Sequence, residues 1–218
     1  MLRPISTANA PARLRNAAAH SPMAFVALVA FVALTALSAS TAAVAAPTTT
    51  RFEPAAQVQG TRLLLNGAGT RFKAIFKVYD MALYTPKKVA TTEELLALPG
   101  AKRLQFTALR ELPGTDLGRL FMKGMAENTS TDVMLHHTVA TTRLIEIFSA
   151  RNKLAAGDTF AMDFIPGKGT QFYIQGQAQG EPVGNTEFFN VVLGIWVGTS
   201  PADRALKEAL LGREKDGQ

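Results

Sequence analysis

Arg71 is the residue of this chain whose type and setting best suit chemistry. It follows Gly67-Ala-Gly-Thr70 and opens an alternating run that ends at Tyr79. A lone arginine beside apolar strands suits the capture of a carboxylate or an enolate-like oxygen, because the guanidinium fork donates charge-assisted hydrogen bonds in fixed directions. The same pattern also fits a solvated face shared with Lys73 and Lys77, where an arginine usually sits in water.

Other candidates carry less. His136-His137 resembles a metal-ligating pair, yet adjacent helical residues point about 100° apart, and the one carboxylate at a spacing of three or four, Asp132 before His136, does not complete a ligand set facing both. His137 falls on an apolar stripe and reads as a packed or hydrogen-bonded histidine. The remaining histidine, His20, lies in an N-terminal apolar region, which disfavours a histidine-based triad. Gly67-Ala-Gly69 and Gly167-Lys-Gly169-Thr170 lack the full spacing of a phosphate loop and read as turns. Asn128-Thr-Ser130 matches a glycosylation sequon, a pattern too short to carry weight without a glycosylating host.

Composition narrows the classes further. The 218 residues include no cysteine, which excludes disulfide scaffolds, thiolate metal sites and a cysteine nucleophile. No cofactor is called for. Arg3, Arg13 and Arg15 precede the apolar run from Met23 to Leu37, and Ala43-Val-Ala45 fits a small-x-small cleavage pattern. Residues 1–45 are therefore expected to be a signal peptide that exports the protein to the periplasm or beyond. The run would make about 22 Å of helix against a hydrocarbon core of about 30 Å, too short to remain as a membrane span. Without those residues 20 basic side chains face 17 acidic ones, a balance that gives no support for nucleic-acid binding.

The elements that must hold Arg71 come next. Residues 46–59 read as a Pro- and Thr-rich flexible leader, and residues 213–218 as a tail. Between them, 60–212 reads as one domain. Thr61–Leu65 and Arg71–Tyr79 are expected as strands joined at Asn66-Gly67, with Phe72, Ala74, Phe76 and Val78 on one face and Arg71, Lys73, Ile75, Lys77 and Tyr79 on the other. A short helix over Thr92–Leu98, a strand over Arg103–Leu109 and helices over 115–127 and 132–151 follow. A hairpin, Thr159–Ile165 with Thr170–Gln175, precedes an apolar helix over Glu187–Val197 and a last helix capped by Ser200-Pro201 and ended by Gly212. This order, without regular βαβ alternation, predicts an α+β fold: an antiparallel sheet packed on one face by helices.

Gly67-Ala-Gly-Thr-Arg71 with Phe76-Lys-Val-Tyr-Asp-Met-Ala-Leu-Tyr84 resembles the opening strands of the chalcone isomerase-like family. Arg110-Glu-Leu-Pro-Gly114, Pro166-Gly-Lys-Gly-Thr170 and Gly194-Ile-Trp-Val-Gly198 resemble later family segments in the same order, so the likeness spans roughly 60–212. The family includes plant enzymes that close a chalcone to a flavanone, relatives that bind fatty acids, and bacterial members that are often exported. The resemblance implies an open-faced sandwich with a slot for a flat or long apolar ligand. It also implies a cleft arginine that holds a phenolate or developing enolate. Arg71 matches that arginine, and Arg62 on the preceding strand competes for the role.

Tyr79 stands where the plant enzymes have a water-ordering threonine, so the resemblance makes Arg71 and Tyr79 the catalytic pair if this chain is an isomerase. The plant tyrosine and asparagine of the following helix are replaced by Leu117 and Gly124, with Asn128 one turn away as a substitute amide. A binding protein for a fatty acid or similar apolar carboxylate, with Arg71, Tyr79 and Arg62 as ligand-binding candidates, is therefore expected ahead of an isomerase or lyase acting on an α,β-unsaturated carbonyl. A cell-envelope accessory module without a ligand is the third expectation.

Overall fold

The alternation of apolar and polar residues builds a sheet whose two sides do different work. A computed structural model describes residues 48–213; the expected signal peptide lies outside them. The strands are β1 (Ala55–Val58), β2 (Thr61–Lys73), β3 (Phe76–Thr85), β4 (Lys102–Ala108), β5 (Leu112–Pro113), β6 (Lys153–Leu154), β7 (Thr159–Ile165), β8 (Gly169–Ile174) and β9 (Gln177–Ala178). The helices are α1 (Thr92–Ala97), α2 (Gly114–Asn128), α3 (Thr131–His136), α4 (Thr138–Ser149), α5 (Thr186–Val197) and α6 (Arg204–Leu210). Seven strands form one sheet in the order β1-β2-β3-β4-β7-β8-β9, every pair antiparallel. The one jump in that order, from β4 to β7, accommodates α2, α3 and α4.

Side chains two apart share a face. Tyr79, Met81 and Leu83 of β3, Leu104 and Phe106 of β4, Phe160 and Met162 of β7, and Phe172 and Ile174 of β8 enter the core shared with α2, α4 and α5. Ala82 and Tyr84 point the other way, into a smaller cluster with Val58, Leu63, Ala101 and Ile165 against which Phe52 packs. The expected α+β architecture is therefore present, with helices on one face. Arg103 of β4 makes a bidentate ion pair with the buried Asp163 of β7, at 2.6 Å for each contact.

Four expectations are corrected. Asn66-Gly67 is not a turn: β2 runs through it with a bulge, and the hairpin turns instead at Ala74-Ile75, where Ala74 adopts a φ of 53°. The strand from Arg71 to Tyr79 is thus two strands, and the two-face assignment holds only on each side of that turn. The helix expected over 132–151 breaks at His137, whose φ of −106° and ψ of 18° end α3 before α4 begins. Residues 55–58 of the expected leader form the edge strand β1, paired with β2. Asp203, not Ser200-Pro201, caps α6 by accepting the Leu206 N–H at 3.1 Å. Gly212 does end that helix, with its own N–H and that of Arg213 returning to Ala209 and Glu208 at 3.0 and 2.9 Å.

Candidate functional site

Because the hairpin turns at Ala74-Ile75, Arg71 of β2 lies directly opposite Tyr79 of β3. Its guanidinium carbon is 5.7 Å from the centre of the Tyr79 ring, a cation–π distance. Among the described residues its Nε is buried and finds no acceptor, which leaves a charged group with an unused donor.

The Tyr79 hydroxyl is held from the other side. Trp196 of α5 donates its indole N–H to that oxygen at 2.7 Å, and both rings are buried. Phe106 lies edge-on to Tyr79 at 5.5 Å and tilted against Trp196 at 5.1 Å. Burial pushes the Tyr79 phenol up to about 12, against the opposing pull of the Arg71 charge and the Trp196 hydrogen bond. The group is a neutral phenol at ordinary pH. Since its oxygen already accepts from Trp196, its own proton remains to be given.

Arg71 and Tyr79 open onto a cavity of about 480 Å³, enclosed by Leu117, Leu120 and Phe121 of α2, Phe160 of β7, Ile195 and Trp196 of α5, and the Ser200–Ala202 loop. That volume falls in the usual small-molecule range of about 300–1,000 Å³. Lys73, Arg119 and Lys123 add positive charge to its lining and Glu127 the single carboxylate, ion-paired to Lys123. A smaller cavity of about 190 Å³ shares Arg71, Lys73, Leu117 and Leu120 and extends toward Arg110. The arrangement is a chamber with an apolar side formed by Leu117, Leu120, Phe121 and Ile195 and a cationic side, on which Arg71 stands beside the neutral hydroxyl donor of Tyr79.

Arg62 does not join it: it is exposed, pairs with Gln57 of β1, and is absent from the cavity lining. Leu117 and Gly124 do line the cavity. Asn128, the candidate substitute amide, is consumed elsewhere. It donates to the Gly124 and Ser200 carbonyls and accepts from the Ser200 N–H, at 2.9, 2.9 and 2.8 Å, tying α2 to the loop before α6.

The glycines upstream of Arg71 have a structural purpose. A Cβ on Gly67 would lie 2.0 Å from the Ala209 carbonyl oxygen, and one on Gly69 would lie 2.8 Å from the Ala209 side chain. They let α6 lie directly on β2. Asp203 at the start of α6 also accepts the Phe72 N–H at 3.0 Å, fixing β2 beside Arg71. His137 is buried with Nε2 3.1 Å from the Glu187 carboxylate and its ring beside Phe188. No group of three metal-ligating side chains occurs among the described residues.

Trp196 and Asp203 were not foreseeable as parts of this site. Trp196 lies 117 residues from Tyr79, and no local pattern couples the two. The only hint was that Trp196 is the chain's sole tryptophan, set in Gly194-Ile-Trp-Val-Gly198.

No curated protein matches the sequence significantly. Among solved structures, the fold is similar to that of a fatty-acid binding protein of Arabidopsis thaliana, with a TM-score of 0.60 and 16% identity over 77% of this chain and 95% of that one. The chalcone isomerase-like family model matches residues 45–212, taking in the whole sheet, the helices laid on it and both walls of the Arg71 cavity. By that match the chain belongs to the chalcone isomerase-like family.

Proposed function

We propose that this protein binds a fatty acid or a similar elongated apolar carboxylate, with the carboxylate against Arg71 and Tyr79 and the chain among Leu117, Leu120, Phe121 and Ile195. The observation that carries this reading is the unpaired Arg71 Nε beside the free proton of Tyr79, at the wall of a chamber whose other side is apolar. A carboxylate offers acceptors to both donors and neutralises the cation. The similarity in fold to a fatty-acid binding protein agrees with it. The apolar run after Arg15 supports an exported protein, and N-terminal sequencing of the protein from its host tests that part.

Binding is favoured over isomerisation by what the cavity lacks. Arg71 can hold an enolate oxygen and Tyr79 can deliver a proton. Leu117 and Gly124 offer no side-chain hydrogen bond to orient a nucleophile or a water, and Asn128 is tied to Ser200. Native mass spectrometry of the protein from its host, followed by extraction, identifies the ligand. A titration of saturated fatty acids and the matching alcohols, followed by Trp196 fluorescence, tests the site. Arg71→Met should weaken the acids about 10- to 100-fold and leave the alcohols unchanged; equal affinity of wild type and variant for the acids refutes the reading.

A further inference from the structure

The turn that creates the Arg71–Tyr79 pair has a composition that folding does not explain. Tight hairpins favour Asn-Gly or Asp-Gly, which enter the left-handed region readily. Here Ala74 takes that conformation with a φ of 53°, and the next two residues are Ile75 and Phe76, 84% and 57% exposed. Two large apolar side chains so exposed at a turn add little burial to the fold.

Their surroundings are cationic. Lys73 and Lys77 flank the tip and are exposed, and the Arg110 guanidinium lies over the Phe76 ring at 5.5 Å. Among the described residues none of these three forms an ion pair. The neighbouring acids are engaged elsewhere: Glu111 with Lys153 at 2.6 Å and Asp116 with Arg119 at 3.6 Å. The tip is thus an apolar wedge in a ring of uncompensated positive charge. Apolar side chains enter the headgroup boundary while Lys and Arg meet anionic lipid.

Its position relates it to the cavity. Lys73 lines both chambers and Arg110 the smaller one, and Arg71 lines both, so two cations of the ring share a cavity with Arg71. Arg71 lies two residues along β2 from Lys73, about 7 Å at strand spacing.

We propose that the β2–β3 tip is a membrane-docking element that seats Ile75 and Phe76 in the interface of an anionic lipid bilayer. Docking places Lys73, which lines both chambers, against the lipid. The absence of native cysteine provides a clean test. Ile75→Cys, labelled with an environment-sensitive fluorophore, reports the tip alone, whatever the N-terminal segment does. Val139→Cys on α4, 85% exposed, is the control.

With mixed phosphatidylcholine and phosphatidylglycerol vesicles the label at 75 should brighten and shift to the blue, and the label at 139 should not. High salt or pure phosphatidylcholine should abolish the response. Lys73→Gln with Lys77→Gln should lower the vesicle affinity of the tip about 25-fold, about fivefold for each charge. The proposal is overturned by a label at 75 that stays in water, by an equal response at 139, or by a response that the two lysine substitutions leave unchanged. A label that responds to a soluble protein and not to vesicles would assign the tip to a protein partner instead. The vesicles carry no fatty acid, and the ligand titration uses no vesicles, so either reading can fail alone.

Discussion

Trp196 gives its indole proton to Tyr79, 2.7 Å away, in the middle of the apolar core. The bond couples α5 to β3 and determines what Tyr79 can do, because an oxygen that accepts from one side keeps its proton for the other. Tyr79→Phe would strand the Trp196 N–H, and Trp196→Phe would remove the donor and part of the packing. Each should destabilise by about 1–3 kcal/mol in denaturant unfolding. The double variant should cost less than the sum by about 1 kcal/mol, since it leaves no buried donor unmade. Simple additivity would show that the bond contributes nothing.

Arg71 should behave in the opposite sense. Its Nε has no acceptor among the described residues, so Arg71→Met removes an unsatisfied buried donor together with the cation–π contact to Tyr79, two effects of opposite sign. Unfolding stability should stay within about 1 kcal/mol of wild type or rise above it, while fatty-acid affinity falls. A site kept for binding at the expense of stability gives that combination. A loss of about 3 kcal/mol on the same substitution would mark Arg71 as a structural residue instead.

Tyr79 also predicts an alkaline limit. Its phenol is pushed up to about 12 by burial, from an ordinary value of 10.0. A group whose folded value is raised binds its proton more tightly in the native state. Its contribution is therefore complete below pH about 10 and is lost as pH climbs toward 12, about 3 kcal/mol across that window. Tyr84 and Tyr173 are also raised by burial. Tyrosinate absorbance in the Tyr84→Phe, Tyr173→Phe double variant isolates the step, and ionisation of Tyr79 near pH 10 would show that the cavity wall is wetter than the structure places it.

Which parts of this arrangement can be read from the chain follows from how far each interaction reaches. Strand β4 and helix α2 follow from local periodicity, because each buries one face of its own repeat, whereas β7, β8 and α5 are buried on nearly every side and stand out as apolar runs between turn residues. Helix α1 begins where Thr91 and Glu94 form a reciprocal cap within four residues. Arg71 and Tyr79 stand out by type, but they meet through the turn at Ala74-Ile75, which carries poor turn residues. The turn expected at Asn66-Gly67 failed for a long-range reason. The Asn66 amide is spent on Val89 and on Leu210, 144 residues away, and the glycine makes room for a helix at the far end of the chain.

That failure supplies a test of the support behind the site. Asn66 is buried; it donates to the Val89 and Leu210 carbonyls at 3.0 and 2.7 Å and accepts the Val89 N–H at 2.8 Å. Asn66→Ala leaves three backbone groups unpaired at the β2–α6 contact and should cost about 3 kcal/mol or more. Gly67→Ala should cost at least as much, because its Cβ would meet the Ala209 and Leu210 carbonyl oxygens at 2.0 and 2.7 Å, both backbone atoms that cannot rotate away. If α6 is forced off β2, the Asp203 contact to Phe72 loosens and Arg71 loses its fixed position. Gly67→Ala protein that still folds should therefore bind fatty acid more weakly, although Gly67 touches no ligand. Wild-type stability in this variant would mean that α6 does not lie on β2 as closely as the structure shows.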